Sequence, residues 1–355
     1  MFPTSLRVSA ALPLALLAAL AVVPFVADMA GQPFWLSFFA RILIYAIAAS
    51  ALNLALGFGG LVSFGHALFL GLGSYAVALP AAHGFAQGWL HLLVVLGGCG
   101  LVALLVGAVS LRTTGMAFIM ITLAFAQMGY FLFVSLKAYG GDDGLAVSQT
   151  SRFFSVDLGA VRPLYVVAWL VLALVTWWMT HLRASAFGMA LRGTRQNARR
   201  VQAMGMQPQQ IKLVAYVLSG VMCGVAGMLL ANMNAYVSPS TLAWTVSGDL
   251  IVMVVLGGMG SVYGPLLGAL VFLGLEEVLK GYTEHWMVVM GPLIVLMALL
   301  GRGGLVGLMQ RLDERMATAL KTRMAGSSAN LDTRAPVSAT LPAQDKPGEA
   351  AWQPR

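Results

Sequence analysis

Ten residues inside or beside long apolar runs are the positions at which this sequence could handle a solute. They are Gly59, Gly60, Ser63, His66, Thr122, Gln127, Asp249, Gly257, Gly258 and Ser261. A polar side chain in an apolar segment is costly unless it is paired, and glycine lets the backbone turn out of a helix. We therefore take these residues as candidates for a translocation pathway. A pathway of this kind suits a solute that has no net charge and carries an apolar part.

For three of these residues a structural role is a serious alternative. His66 follows a glycine break and is at least as well suited to hydrogen bonding between helices as to lining a pathway. Asp249 opens an apolar stretch, where a carboxylate favours the positive end of a helix dipole, and we prefer that role. For Gln127 we prefer a role in hydrogen bonding between helices over a role in contacting a solute.

The sequence offers no arrangement for covalent catalysis or metal binding. Cys99 and Cys223 both lie inside apolar stretches, so they form neither a disulfide framework nor a metal site with the usual ligand spacing. No spacing ties His181, or the pair Asp142 and Asp143, to a serine or cysteine nucleophile. We therefore expect that the chain is not an enzyme, and we rank a membrane-embedded enzyme last.

A second group of residues is basic. The stretch "RGTRQNARRVQAMGMQPQQIKL", residues 192–213, contains five of the 21 basic residues and no acidic residue. A cation in the hydrocarbon core costs about 2.5 to 3.5 kcal/mol on the insertion scale, so this segment lies outside the bilayer. A helix-permissive run over 196–204 ends at Gly205, and Pro208 favours the start of another helix. The pattern predicts a short cytoplasmic helix between two spans.

The composition is that of a protein with many membrane spans. Hydrophobic residues make up 59% of the chain, and the mean hydropathy is +0.84. A net charge of +8 would suggest nucleic acid binding in a soluble protein, but six of the positive side chains lie in the connector 183–212. A basic excess in one connector reports membrane topology, so we expect the lipid bilayer as a partner and no nucleic acid.

The lengths of the apolar runs predict the helices. About 20 apolar residues cross the hydrocarbon core at roughly 1.5 Å per residue. Candidate spans lie at 9–27, 34–57, 89–111, 115–136, 164–182, 211–233 and 285–301. Two further stretches, 52–80 and 245–280, are interrupted by glycines. The predicted fold is an all-α polytopic bundle of about eight spans plus glycine-broken re-entrant half-helices.

The two interrupted stretches share a motif. The motifs are Gly59-Gly60-x-x-Ser63 and Gly257-Gly258-x-x-Ser261. A pair of interrupted hydrophobic segments in two halves of a chain indicates a transporter built from repeats, with its pathway at the breaks. The alternative is that the glycines only allow close helix packing. For 245–280 we predict a re-entrant pair of half-helices around 257–264.

Charge counting orients the chain and divides it. The loop 137–163 holds three basic and three acidic residues, against six and none in 183–212, so the connector is cytoplasmic and the loop external. If 245–280 enters and leaves on one side, the tail ends in the cytoplasm. We predict a permease domain over 1–303, which includes the connector. An amphipathic surface helix over 304–323 and a disordered tail over 324–355 follow it.

Five stretches resemble, in family order, the signatures of LivM-type permease subunits of ATP-binding cassette importers for branched-chain amino acids. They are "GFGGLVSFGHALFLGLGSY" (57–75), "LRTTGMAFIMITLAFAQ" (111–127), "GGDDGL" (140–145), "NARRVQAMGMQPQQIKLVAYVLSGVMCGVAG" (197–227) and "VVLGGMGSVYGPLLGA" (254–269). Each stretch alone is weak, but five in order over about residues 40–300 are specific.

The resemblance implies a coupling helix over 197–205 that enters a groove on a separate ATPase subunit. The coupling residues would be Asn197, Arg199, Arg200, Gln202, Ala203, Met204 and Gly205. The chain has Ala198, Arg200 and Val201 where the family has a glutamate and two alanines, and Gln202 replaces a second acidic residue. We interpret the more basic surface as a partner-specific interface; an uncoupled paralogue is the alternative.

The resemblance also implies the partners. They are two cytoplasmic ATP-binding subunits that carry ATP and magnesium, a second homologous permease, and a periplasmic or extracellular solute-binding protein, at the bacterial inner membrane. The chain contains no Gly-x-x-x-x-Gly-Lys-Ser/Thr phosphate loop, so we expect no cofactor bound by the chain itself. The expected solute is a branched-chain or other hydrophobic amino acid.

Two alternatives to this function stay open. The same machinery also serves urea, short-chain amides and other small organic solutes, so the resemblance does not fix the solute. An ion-coupled secondary transporter is the alternative from another class, but the spans contain no cluster of carboxylates suited to a proton or sodium relay.

Overall fold

The computed structural model describes residues 15–24, 33–154, 156–300 and 303–309, which are mostly helical. The helices are α1 (Ala15–Pro24), α2 (Pro33–Asn53) with its π-helical continuation Leu54–Phe58, α3 (His66–Ala82), α4 (Gly88–Ser110), α5 (Met116–Ser135), α6 (Val161–Ala184), α7 (Ala186–Ala203), α8 (Pro208–Asn234), α9 (Trp244–Gly257), α10 (Gly264–Tyr282), α11 (Trp286–Leu300) and α12 (304–309). Short 3-10 helices occupy Lys137–Tyr139, Gly141–Asp143 and Pro239–Leu242. Two-residue strands are β1 (Leu145–Ala146), β2 (Arg152–Phe153), β3 (Val156–Asp157) and β4 (Tyr236–Val237). The all-α fold is confirmed.

Within these ranges, five helices are long and apolar enough to cross a bilayer. They are Phe34–Phe58, Gly88–Ser110, Met116–Ser135, Val161–Ala184 and Pro208–Asn234. All five coincide with predicted spans to within a few residues. Their environments differ, because 83% of the apolar window of the first is buried against 22% for Met116–Ser135. Thus α2 is a central helix, and α5 turns most of its apolar surface outward.

The connections define two ends of the bundle. At one end, β1 pairs antiparallel with β4, which joins the loop after α5 to the chain that follows α8. His83, just after α3, is hydrogen-bonded at this end to the Tyr139 hydroxyl at 3.2 Å. We call this the loop end. The opposite end holds α7, which we call the arm, and the start of α8. We call this end the arm end.

The loop end is held by hydrogen bonds as well as by strands. Asp157 accepts hydrogen bonds from the Thr150 hydroxyl at 2.6 Å and from the Gly159 N–H at 2.8 Å. These donors hold the pKa of the Asp157 carboxyl below its ordinary value. Asn232 of α8 accepts the Ser151 N–H at 2.7 Å, so it ties this loop to the bundle.

Helices α3 and α8 pack with their backbones in contact. A Cβ at Gly73 would lie 2.7 Å from the carbonyl carbon of Gly224, and one at Gly227 would lie 2.9 Å from that of Leu70. The Ser74 hydroxyl donates to the Gly227 carbonyl at 2.9 Å across this contact. Glycine is therefore required here by the close approach of two helices.

The glycine-broken stretch 245–280 differs in one respect from the prediction of two half-helices. Helix α9 has 14 residues and is a half-length helix, but α10 has 19 residues. A helix of that length spans about 28 Å, but α10 is not among the five helices that are long and apolar enough to cross a bilayer. The prediction counted only the apolar arm, whereas Glu276 near the far end of α10 is paired with Arg41 and Lys280. Pairing of its charge lets α10 continue beyond the apolar residues.

Several predictions fall partly outside the described residues. Of the predicted span 9–27, the structure describes residues 15–24 as a helix. Of the predicted surface helix 304–323, it describes residues 304–309, which are helical, with Val306 buried. The rest of that segment and the predicted tail 324–355 lie outside the described residues.

Candidate functional site

Two interruptions of the helices form the centre of the site. The first break, residues 59–65, joins the π-helix to α3, and the second break, residues 258–263, joins α9 to α10. Gly60 has φ of 69°, Gly258 of 120° and Gly260 of 77°. Side chains disfavour these left-handed conformations, so the glycines set where the helices stop. Both predicted break positions are confirmed.

Asn53 joins the two breaks to each other. Its side-chain amide donates to the Ser261 carbonyl at 2.7 Å, and its carbonyl oxygen accepts the Gly260 N–H at 2.9 Å. The residue is fully buried at the end of α2. A Cβ at Gly57 would lie 2.6 Å from the Gly260 nitrogen, so the backbones of the two segments touch. The two repeated motifs thus meet at one point.

Side chains of α5 and α9 pair with backbone groups at the first break, and a side chain of α8 contacts Ser63 within it. The Thr122 hydroxyl on α5 accepts the Phe64 N–H at 3.3 Å. Ser247 on α9 donates to the Phe64 carbonyl at 2.7 Å and accepts the Ala67 N–H at 2.8 Å. Ser63 lies 3.5 Å from the hydroxyl of Tyr216 on α8. These bonds replace those that an unbroken helix would supply, as a low-dielectric interior requires.

His66 takes part in the same network as a donor. The Ser219 hydroxyl donates to the Ala51 carbonyl at 2.5 Å, so its oxygen must accept the His66 Nε2–H at 2.6 Å. His66 is fully buried between the rings of Phe69 and Tyr216. The hydrogen bond between helices, offered above as an alternative to a pathway role, is therefore present in this structure.

Helix α7 forms an arm with a kink. Asn197 has non-helical dihedral angles, which divide α7 into a longer first part and a short helix over 198–203. The Asn197 side-chain oxygen accepts the Arg200 N–H at 3.2 Å and so caps the short helix. Gly205 at φ of 82° and Pro208 then end it and begin α8. The predicted short helix between two spans is confirmed.

The predicted coupling residues lie on the outside of this short helix. Asn197, Arg199, Arg200, Gln202, Ala203, Met204 and Gly205 are all exposed. Met204 is 66% exposed, whereas Val201 is 2% exposed and packs beside Gly193 of the first part of α7. The exposed set combines positive charge with one large apolar side chain, a combination that suits contact with another protein. Their role in coupling stays a prediction.

The inner side of the arm rests on both broken segments. Leu191 of α7 belongs to an apolar cluster with Leu54 and Phe58 of the π-helix and Val262 of the second break. Tyr263 and the arm residue Phe187 pack against the same cluster. The arm is therefore packed directly against residues beside the two breaks.

A cleft opens at the arm end beside the first break. Its volume is about 770 Å³. Its lining comprises residues 60–62, 111–115, 118–119, 198, 202, 206–210 and 212. Gly60 is the pathway candidate that lines it, and Ala198 and Gln202 belong to the short helix. The cleft thus lies between the first break, the short helix and the start of α8.

Asp249 lies in the second turn of α9 and belongs to neither break; its preferred role at the start of the helix is wrong, because the first turn of α9 contains no acidic residue. It is exposed on α9 and interacts electrostatically with Glu276 and Arg41. Arg41 of α2 pairs with Glu276 of α10 at 3.3 Å, and Lys280 lies 2.5 Å from the same carboxylate oxygen. This group of charges between α2, α9 and α10 was not predicted. The carboxylates on α9 and α10 are 27 residues apart, so only the fold brings them together.

The structure brings most of the candidate pathway residues to one region. Residues that form or contact the first and second breaks are Gly59, Gly60, Ser63, His66, Thr122, Gly257, Gly258 and Ser261. Gln127 is half-buried on α5, and no hydrogen bond within the described ranges joins it to a break. Asn53 was one of several polar residues within predicted spans that were functional candidates by default, and Arg195 was one of the basic residues of the connector, but neither was assigned to the site. A polar residue four positions from Gly57 and a basic residue two positions from Asn197 are signals too common to be specific.

Comparison with known proteins identifies a family. A family model described as "Branched-chain amino acid transport system / permease component" matches residues 34–298. The match begins at α2 and ends within α11, so it includes both breaks and the arm.

Individual relatives agree with this match. The permease protein LivM of a high-affinity branched-chain amino acid transport system of Escherichia coli is 29% identical over 74% of this chain and 68% of its own length. LivH of the same organism is 27% identical over 74% of this chain and 91% of its own length. LsrC, a permease protein of the autoinducer 2 import system of Yersinia enterocolitica, is 25% identical over 57% of this chain and 56% of its own length. No solved structure matches the chain.

Proposed function

Because this chain belongs to the family of permease components of branched-chain amino acid transport systems, we propose that it moves a branched-chain or other hydrophobic amino acid across the bacterial inner membrane. It is a transport subunit, and the hydrolysis of ATP is carried out by two cytoplasmic ATP-binding partners. A second homologous permease completes the membrane part, and a solute-binding protein delivers the solute from outside. ATP and magnesium are held by the partner subunits.

The proposal rests on the arm, which has one part exposed to solvent and another part packed against the bundle. The outer side of residues 197–205 is exposed and ends in Met204. The first part of α7, before the kink, faces the bundle. Its Leu191 packs against Leu54 and Val262 beside the two breaks. A partner that grips the outer side would therefore displace the segments at which the helices are interrupted. This is the physical requirement for coupling a cytoplasmic ATPase to a membrane pathway.

The solute class follows from the relatives and is compatible with the polar groups of the site. The side chains at the breaks are buried small hydroxyls, an amide and an imidazole, together with the Arg195 guanidinium. They include no cluster of carboxylates suited to an ion relay, which is compatible with a solute without net charge such as a zwitterionic aliphatic amino acid. The similarity to LsrC favours a second candidate, another small polar organic solute carried by the same machinery.

The test of the proposal is solute-dependent ATP hydrolysis by the assembled transporter. Deletion of residues 197–205 should abolish the stimulation of hydrolysis by solute. The point variant Met204→Asp should weaken docking of the ATPase by about tenfold or more, as expected for an exposed apolar anchor at an interface. Gln209→Asp makes the same charge change outside the docking helix and should keep normal stimulation. Stimulation that survives the deletion would reject the proposal.

A further inference from the structure

We propose that Arg195 is the positioning residue that links the arm to the helix end at the first break, so that arm movement changes the geometry of both breaks. The inference rests on the proposed function, because it concerns how the arm acts once a partner moves it. Arg195 lies on α7 two residues before the kink at Asn197, where the short docking helix begins. It is therefore placed between the docking surface and the broken helices.

The guanidinium of Arg195 occupies the carboxyl end of the α2 and π-helix segment. In the last backbone bonds of this segment, the Gly59 N–H donates to the Leu54 carbonyl. The Leu61 N–H donates to the Ala55 carbonyl, and the Gly60 N–H donates to the Leu56 carbonyl. The next carbonyl, that of Gly57, accepts a hydrogen bond from Arg195 Nη1. A helix carries partial negative charge at its carboxyl end, so a cation is favoured at this point. A charge-assisted bond of this kind is stronger than one between neutral groups.

The aliphatic part of the same side chain packs on the first break. A Cβ at Gly60 would lie 2.8 Å from Cγ of Arg195 and 3.4 Å from Cδ. Gly60 also requires its positive φ, so the absence of a side chain there serves both the turn and the passage of the arginine. The position of the arm and the path of the first break are thereby coupled by contact.

The second break is reached from the same guanidinium. A Cβ at Gly260 would lie 3.1 Å from the Gly57 oxygen and 3.6 Å from Arg195 Nη1. Asn53, one helical turn before Gly57, accepts the Gly260 N–H. The Gly57 carbonyl, Arg195 and Gly260 therefore form one contact, and withdrawal of the arginine would release it on both sides.

Arg192 provides a matched comparison on the same helix. Its guanidinium donates to the Arg183 carbonyl at 2.9 Å, and its Nε donates to the Gly188 carbonyl at 3.3 Å. The Arg183 carbonyl lies on α6 just before the arm, and the Gly188 carbonyl belongs to the arm. Arg192 therefore stabilises the arm without touching a break, whereas Arg195 connects the arm to both breaks.

The experiment uses the complete transporter in proteoliposomes and measures solute uptake together with ATP hydrolysis. Arg195→Gln should assemble with its partners and hydrolyse ATP, but uptake per ATP should fall by about tenfold, the factor corresponding to one lost charge-assisted hydrogen bond. Arg195→Lys keeps the charge but not the planar geometry. Its uptake per ATP hydrolysed should therefore lie between the values for Arg195→Gln and the wild type. Arg192→Gln should keep the normal ratio.

A wild-type uptake ratio in Arg195→Gln would overturn the inference. Loss of assembly in both Arg195 variants would also overturn it, because it would assign the residue to stability alone. The outcome is separable from that of the proposed function. If deletion of 197–205 abolishes stimulated hydrolysis while Arg195→Gln couples normally, only the role of Arg195 fails. If the deletion has no effect, the proposed function fails first.

Discussion

Asn53 shows how one buried amide can hold two distant stretches of chain together. Its partners, Gly260 and Ser261, are more than 200 residues away in sequence. Both are backbone groups of a segment that has no helical partners of its own. In an apolar interior such groups must be paired, so the amide specifies the register of the second break against the first.

We predict that Asn53→Leu destabilises the protein by about 1 to 3 kcal/mol, because it leaves the half-buried Gly260 N–H and Ser261 carbonyl without their side-chain partner. Thermal unfolding of the purified protein in detergent measures this change. Asn234→Leu, at an exposed position at the end of α8, should stay within about 0.5 kcal/mol of the wild type. Equal stability of the two variants would show that the breaks are held by other contacts.

Helix α7 and the pair formed by α9 and α10 show what the elements contribute. The kink at Asn197 separates a part that packs inward from a short helix that faces outward, so one element touches both the bundle and the proposed partner. In α9 and α10 the two backbones approach so closely that a Cβ at Gly268 would lie 2.8 Å from the Met253 carbonyl carbon. Such close packing fixes the second break from both sides.

Gly268→Ala should therefore destabilise the α9 and α10 pair by about 1 to 3 kcal/mol, because neither backbone can move aside as a side chain would. Limited proteolysis near the second break and the unfolding temperature both report this loss. Gly274→Ala lies on the same helix, where a Cβ meets nothing within 4 Å, and should be neutral or slightly stabilising. A Gly268→Ala protein as stable as Gly274→Ala would contradict the packing described here.

At the scale of the whole molecule, the bundle has one end for docking and one end closed by loops. The arm, the cleft and the first break lie at the arm end. The paired strands β1 and β4 and the aromatic residue Phe154, which is 93% exposed, belong to the loop end. The proposed function requires that these ends face opposite sides of the membrane, with the arm in the cytoplasm.

Single-cysteine labelling in intact cells tests this orientation. A cysteine at Gln209 should react with a membrane-impermeant thiol reagent only after the cells are opened, and a cysteine at Phe154 should react from outside. The native Cys99 and Cys223 are both buried, so they should contribute little background. Labelling of position 209 from outside would exclude contact between the arm and a cytoplasmic ATPase.

The sequence by itself determined the helical class, most of the spans, the positions of both breaks and the short helix after Asn197. These are local properties, because apolar length, glycine and basic residues act within a few turns of helix. Helix α10 extends past its apolar residues, where the charge of Glu276 is paired with Arg41 and Lys280.

Only the tertiary structure decided what each polar residue contacts. It placed Asn53 against the second break, Arg195 on the Gly57 carbonyl, and His66 in a hydrogen bond with Ser219. The physical reason is that a broken helix leaves backbone groups that must be paired, and any nearby polar side chain can pair them. Which side chain does so depends on how helices far apart in sequence pack, and no local pattern encodes that.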